Sequence, residues 1–252
     1  MSLASEYKRQ FVWRAWPQMF EALPLVRGQL VLDLGCGVGD QAAELVGRGV
    51  RVIGIDINDE LLREVRSRSI ENAQFLQCDL RALPDLGALA DGLWCSFAAA
   101  YFPDLSATLQ SWKRHLRSGG WIALTEVDDL FGHQPLSAET KSIFDAYAAD
   151  ALAAKRYDFH MGRKLRTTLE QCGFIVAKEL ILPDQELSFT RPAREEVIDA
   201  WRARLDRMKL LREFVGARFE NLRDEFLHCL ASPHHRSTAA VYCCIAYRDT
   251  PP

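Results

Sequence analysis

Short apolar runs alternate with amphipathic stretches along most of this chain. Val31-Leu-Asp-Leu34, Arg51-Val-Ile-Gly-Ile55, Ala73–Cys78, Gly92–Phe97 and Gly120–Glu126 are each rich in aliphatic, β-branched or aromatic residues. Runs of this length and composition read as strands. The stretches between and after them predict helices over 39–48, 58–68, 104–117 and 162–172, before a last strand from Thr238 to Tyr247. Strand–helix alternation makes an α/β, doubly wound, mostly parallel sheet with helices on both faces. In such sheets ligands bind at the carboxyl ends of the strands.

Three segments exceed that alternation. Residues 5–23 carry Phe11, Trp13, Trp16, Met19, Phe20 and Leu23, an apolar set broad enough for one helix covered on most sides. Residues 127–161 follow the fifth strand and contain a helix over 138–154 with Ser137 as its N-cap. Residues 191–232 hold two helical stripes, Val197-Trp201-Leu205-Met208 and Phe219-Leu222-Phe226-Leu230, with Gly216 between them. They read as a helical hairpin whose stripes either simply pack on the sheet or line a ligand pocket or make a homodimer contact. Its arginines are interleaved with Glu and Asp and read as a solvated face. The organisation expected is one domain over 1–252, with an N-terminal helical cap (1–25) and insertions at 127–161 and 191–232.

The densest chemistry lies in Asp33-Leu-Gly-Cys-Gly-Val-Gly-Asp40. A strand here runs into glycines at 35, 37 and 39 and then into a helix, so backbone amides and a positive helix end can face a ligand. Asp56 closes the second strand, where a carboxylate can accept from ribose hydroxyls. The turn is not the dinucleotide fingerprint G-x-G-x-x-G, because Asp40 stands where the third glycine belongs. Carboxylates at 33 and 40 repel a pyrophosphate and suit a cationic sulfonium and ammonium ligand.

With Asp56, the later Asp79-Leu80, the Arg117-Ser-Gly-Gly120 turn and Gly162–Phe174, this pattern resembles the class I (Rossmann-like) S-adenosylmethionine-dependent methyltransferases of small molecules. The resemblance runs through 30–126, resumes at 162–174 and ends in the last strand. It implies seven strands, six parallel and the last antiparallel. It also implies S-adenosylmethionine contacts at Asp33, Gly35, Cys36, Gly37, Gly39, Asp56, Ile57, Asp79, Leu80 and Phe97, with S-adenosylhomocysteine as product. Asp79 has a second reading, as the N-cap of a turn at Leu80.

Composition narrows the acceptor. A formal net charge of −3 gives no global footprint for nucleic acid or anionic membrane. No apolar stretch approaches the roughly 20 residues a bilayer demands, and the first residues lack a signal-peptide core, so a cytoplasmic enzyme is expected. The seven cysteines form no C-x-x-C pair and read as small buried hydrophobes, with no metal site. Cys243 and Cys244 should point to opposite faces of their strand. Phe97-Ala-Ala-Ala-Tyr-Phe-Pro-Asp104 lacks the N-P-P-Y type signature of amide and base-nitrogen methylation, which leaves a small molecule with an O, N or C acceptor.

Candidate general bases are Glu126, Asp128, Asp129, His133, Tyr157 and His160. His133 is the choice, for its near-neutral pKa and the exposed loop that Gly132 suggests. Trp13, Tyr101, Tyr157 and His160 are candidate acceptor contacts, and His234-His235 read as exposed turn residues. The competing functions are an S-adenosylmethionine-binding protein that transfers no methyl group (scaffold, regulator or cyclase) and an NAD-dependent oxidoreductase, against which Asp33 and Asp40 argue.

Overall fold

The structure, a computed structural model, describes residues 3–249; residues 1 and 2 of the expected cap and the last three residues lie outside that range. In chain order, α1 (Leu3–Phe11) and α2 (Trp16–Ala22) precede β1 (Leu30–Leu34), α3 (Asp40–Gly47), β2 (Arg51–Asp56), α4 (Asp59–Ser67), β3 (Ala73–Gln77), β4 (Ala90–Ser96), α5 (Leu105–Lys113) and β5 (Leu116–Asp128). Then come β6 (His133–Gln134), α6 (Ala138–Ala153), α7 (Leu165–Gln171), β7 (Ile175–Leu182), α8 (Glu195–Arg207), α9 (Lys209–Val215), α10 (Phe219–Ala231), β8 (Arg236–Ser237) and β9 (Ala240–Tyr247).

The main sheet has seven strands in the order β3-β2-β1-β4-β5-β9-β7. β9 runs antiparallel to both neighbours and the other six strands are parallel, as expected. All five residues of β1 are buried, as a central parallel strand covered on both faces requires.

Side-chain alternation divides the interior into two cores. Val31, Trp94 and Cys243 join a cluster with Trp16, Phe20, Leu45, Trp201 and Phe226. Leu32, Leu93 and Cys244 join another with Leu109, Trp112, Leu165 and Leu169. The neighbouring cysteines thus face opposite sides of the sheet.

Three local expectations are corrected and one element is added. The N-terminal segment is two helices: Pro17 lies in the first turn of α2, has no amide hydrogen and would clash with the carbonyl four residues back, so one helix cannot run through 12–15. The 191–232 segment is three helices, because Met208 leaves helical geometry (φ −76°, ψ 68°) between α8 and α9 before Gly216 separates α9 from α10. Arg117–Gly120, read as a turn, lies inside β5, where the pairing jumps from Ala90–Leu116 to Gly92–Trp121 and the extra residues form a bulge. Residues 133–134 and 236–237 pair as a small antiparallel sheet, β6 with β8, that sequence reading did not foresee.

The other helices fall close to expectation, with caps in place. Asn58 accepts from Glu60 N and Leu61 N at α4, and Ser137 accepts from Thr140 N at α6. Among the described residues no helix is long and apolar enough to cross a membrane, and no group of three or more His, Cys, Asp or Glu could hold a metal ion.

Candidate active site

The glycine turn between β1 and α3 lies at the carboxyl edge of the sheet. Gly35 has φ +85° and a Cβ there would come within 2.8 Å of the Ala98 Cβ; Gly39 has φ +77° and its Cβ would strike Val65 at 2.2 Å. Both close approach and left-handed backbone demand glycine. The amides of Gly35 and Cys36 donate to Ile55 O (2.8 and 3.1 Å), which pins the turn to the end of β2. The Cys36 side chain points into the core beside Leu62 and Val65, so only its backbone faces the turn.

Two carboxylates flank this turn differently. Asp56 accepts from Gly37 N at 2.9 Å through Oδ2 and from Asn58 N at 2.8 Å through Oδ1. Those bonds orient it and leave lone pairs for a ribose. Ile57, beside it, is largely exposed and offers an apolar face.

Asp33 is fully buried, and neither of its oxygens has a hydrogen-bond partner. Burial, with a smaller contribution from Asp56, pushes its carboxyl up to about 8. Ser96 Oγ, at the end of the adjacent strand β4, is likewise buried and unpartnered. Unpaired buried polar atoms cost stability. An ammonium or sulfonium group is the chemistry that relieves a lone buried carboxylate, so the donor set fits S-adenosylmethionine and opposes a diphosphate.

The remaining residues expected at the donor site differ in their surroundings. Asp79 accepts from Arg81 N (2.9 Å) and pairs with the Arg81 guanidinium (2.6 Å), which holds its pKa below the usual range. It therefore occupies the N-cap of the turn at Leu80, the second of its two readings. Leu80 is buried, and its carbonyl accepts from Trp112 Nε1. Phe97 has φ +56°, its ring meets Trp16 edge-on, and the Arg14 guanidinium lies 5.2 Å from the ring centre.

On the acceptor side the outcome is mixed. Tyr101 is 62% exposed and meets the half-buried Tyr157 edge-on at 4.9 Å. Tyr7, which sequence reading missed, lies with its ring 3.3 Å from where a Gly37 Cβ would be, so α1 reaches over the glycine turn. Burial, followed by Tyr101 and Asp56, pushes the Tyr7 phenol up to about 12.

Trp13, expected to line a pocket, is buried in the core with Arg9 against its ring. His160 is half-buried; its amide donates to Asp158 Oδ1, and its Nδ1 is buried without a partner.

The expectation that His133 sits in an exposed loop is wrong. It lies in β6, is 2% exposed, and packs against Trp201, Phe226 and Phe189. Burial, then His235, lowers its pKa to about 3, so it is a neutral and weak base at physiological pH. Its Nδ1 lies 3.0 Å from His235 Nε2, while its Nε2 has no partner. His235, expected in an exposed turn, is also buried and stacks on Phe189. Pairing of β6 with β8 beneath the aromatic faces of α8 and α10 removes both rings from water.

Of the other candidate bases, Asp128 is held by Arg163 at 2.7 Å and Asp129 accepts from Thr238 Oγ1 at 3.0 Å. Glu126, near the carboxyl end of β5, is fully buried and accepts from Ala100 N (3.1 Å) and Val127 N (2.9 Å). Burial pushes it up to about 7. Its bond to Ala100 N ties β5 to the loop that carries Phe97 and Tyr101.

A buried ion-pair network, also missed from sequence, ties α1 and α8 to the segments after α1 and after β7. Arg14 pairs with Asp184 (3.1 Å) and Glu186 (2.5 Å), Arg204 of α8 pairs with Glu186 (2.6 Å), and Arg207 pairs with Glu6 of α1.

Comparisons with known proteins bear on this geometry. The family of methyltransferase domains matches residues 31–120. A ubiquinone/menaquinone biosynthesis C-methyltransferase UbiE of Coxiella burnetii (strain CbuK_Q154) is 31% identical over 182 residues, 68% of each chain. A trans-aconitate 2-methyltransferase of Azoarcus sp. (strain BH72) is 35% identical over 113 residues, 44% of each chain.

Among solved structures, a Haemonchus contortus phosphoethanolamine N-methyltransferase 2 with S-adenosylhomocysteine bound superposes on 98% of this chain and 57% of that one, with TM-score 0.60 and 18% identity. The [4+2]-cyclase SpnF covers 92% of this chain and 80% of its own, with TM-score 0.63 and 15% identity. The structural likenesses speak for the fold, and the methyltransferase relative that is 31% identical over 68% of each chain shows the family: the chain belongs to the class I S-adenosylmethionine-dependent methyltransferases.

Proposed function

We propose that this enzyme methylates a small molecule held between the glycine turn and a cap formed by α1, α2, α6 and α8–α10, within a single domain whose two insertions complete the chamber. The observation that carries the reading is Tyr7, whose ring covers Gly37 and narrows the approach to the donor. A cap this close to the turn suits a small acceptor and disfavours nucleic acid. The sequence relatives point the same way, since the printed name of one is a quinone-pathway C-methyltransferase and of the other a trans-aconitate methyltransferase.

When bound, S-adenosylmethionine supplies an electrophilic methyl group on a sulfonium, and transfer is an in-line displacement. The chain's part is binding, orientation and exclusion of water. Asp33 faces the cationic end of the donor and Asp56 the ribose. Phe97, Tyr101 and Tyr157 form the wall toward the acceptor, with Glu126 fixing their loop. No general base is assigned, since His133 is buried and its lowered pKa makes it a weak base, so an O, N or C acceptor fits equally. The protein works in the cytoplasm, where its seven free thiols are stable, and α8–α10, packed inward, serve the pocket ahead of any dimer contact.

The test is production of S-adenosylhomocysteine with a panel of phenols, carboxylic acids and amines, alongside calorimetric titration with S-adenosylhomocysteine and NAD. Turnover of at least one small acceptor with micromolar product affinity is expected. Tight S-adenosylhomocysteine binding without turnover of any acceptor would favour a non-methylating scaffold, and NAD binding in its place would overturn the reading.

A further inference from the structure

We propose that the acceptor carries an anionic group, a carboxylate or a phosphate, and that Arg204 binds it together with the hydroxyls of Tyr101 and Tyr157. This names the substrate class and rests on the small-molecule methyltransferase reading above.

The buried ion-pair network has an excess of positive charge. Three guanidiniums, those of Arg14, Arg204 and Arg207, pair with three carboxylates, those of Glu6, Asp184 and Glu186, and the charge of a fourth, Arg9, also acts on Glu186. The carboxylates are nearly or fully inaccessible. Asp184 is further satisfied by the amides of Glu186 and Leu187. Arg14, with a side chain only 6% exposed, is consumed by its bonds to both acids.

Arg204 differs. Its side chain keeps 19% of its surface accessible, and among the described residues one terminal nitrogen is engaged, by Glu186. Its guanidinium carbon lies over the Trp201 ring, 4.8 Å from the ring centre, a contact that helps to hold it. A guanidinium so held has a free edge that matches a carboxylate or phosphate.

That edge lies near the donor-site mouth. Arg204 shares Glu186 with Arg14, whose guanidinium lies 5.2 Å from the Phe97 ring centre, four residues before Tyr101, and three residues on, Arg207 pairs with Glu6, the neighbour of the Tyr7 that covers Gly37. In keeping with that placement, the Arg204 charge eases ionisation of Tyr7, Tyr101 and Tyr157. Tyr101 and Tyr157 stand edge to face, and their hydroxyls take part in no hydrogen bond within the described chain. An acid seated there gains one charged and two neutral donors while its far end points toward the glycine turn.

The experiment uses the full chain saturated with S-adenosylhomocysteine, as wild type, Arg204→Gln and Arg204→Lys, with Arg223→Gln on the outer face of α10 as control. Each is titrated calorimetrically with matched probes: benzoate against benzamide, octanoate against octanamide, and phenyl phosphate against phenol. At least one acid is expected to bind wild type about tenfold or more tighter than its neutral partner, the pair concerned identifying carboxylate or phosphate. Arg204→Gln should erase that preference, Arg204→Lys should keep part of it, and S-adenosylhomocysteine affinity should stay within about twofold throughout.

Neutral partners binding as well as acids, acids unaffected by Arg204→Gln, or no probe binding at all would overturn the proposal. So would loss of S-adenosylhomocysteine affinity in Arg204→Gln, which would assign the guanidinium to the donor's own carboxylate. A wild type that binds no S-adenosylhomocysteine overturns the proposed function instead.

Discussion

The half of the molecule that binds the donor and the half that covers it are held by different physics. From β1 to β5, each functional group sits at the end of its own strand, and what fixes it is near in sequence or on the adjacent strand: Gly37 N to Asp56, Asn58 N to Asp56, Arg81 N to Asp79. In the cap, the determining contacts join residues far apart in the chain: Glu6 with Arg207, Arg14 with Asp184 and Glu186, His133 with His235. The first region is a scaffold whose geometry follows from strand order. The second is assembled by charge pairing and aromatic packing, so it can change acceptor chemistry while the donor site stays the same.

The sharpest way to break that division is at Arg14. Arg14→Met leaves Glu186 paired with Arg204 and takes from Asp184 the one ion-pair partner it has among the described residues. Breaking a buried ion pair from one side costs about 3–5 kcal/mol. Chemical denaturation should register a loss of that order, and the surviving folded fraction should bind S-adenosylhomocysteine with unchanged affinity. A parallel collapse of donor binding would mean that cap and donor site are one cooperative unit.

Asp33 tests the other half. Its carboxyl rises to about 8 in the folded protein from an ordinary value of 3.8. A raised acid takes up a proton on folding, so its penalty grows as pH climbs from about 4 to 8, at about 1.4 kcal/mol per pH unit, and levels off above. Asp33→Asn should therefore melt higher than wild type without ligand, by a margin that widens over this window, while binding S-adenosylhomocysteine at least about tenfold more weakly. Melting curves at pH 5 and pH 8 with calorimetry check both parts. Equal donor affinity would remove the cationic end of the ligand from this carboxylate.

The same contrast explains what the sequence made legible. The strands, their order and the glycine turn were readable because apolar runs, glycine turns and strand-end acids are local signals, and Val31–Asp40 with Asp56 carries most of them. Tyr7 was not readable, because nothing in α1 marks which of its faces meets a glycine turn thirty residues on. Arg204 and Arg207 looked solvated beside neighbouring acids, whereas their partners Glu186 and Glu6 come from other elements. His133 failed for the opposite reason. Gly132 does suggest a turn, but pairing with residues 236–237 and the stripes of α8 and α10 decide its exposure, and such contacts are invisible in a linear pattern.

His133 also supplies the smallest effect and the finest test of the boundary. Its pKa falls to about 3 in the folded chain from 6.5, and that of His235 is lowered as well. A depressed histidine contributes stability that is fully present above about pH 6.5 and is lost as pH falls toward 3, because the unfolded chain binds the proton more readily. Each such group steepens acid unfolding by up to about 1.4 kcal/mol per pH unit. His133→Phe fits the aromatic nest of Trp201, Phe226 and Phe189, and it gives up the hydrogen bond to His235, a loss of about 1 kcal/mol at pH 8. Between pH 6.5 and 4.5 the variant should lose stability more slowly than wild type and draw level with it or overtake it. Turnover per folded molecule at pH 8 should be unchanged, because the ring acts through packing. A fall in turnover with intact S-adenosylhomocysteine affinity would instead bring the buried imidazole into the chemistry and erase the line drawn between the two regions.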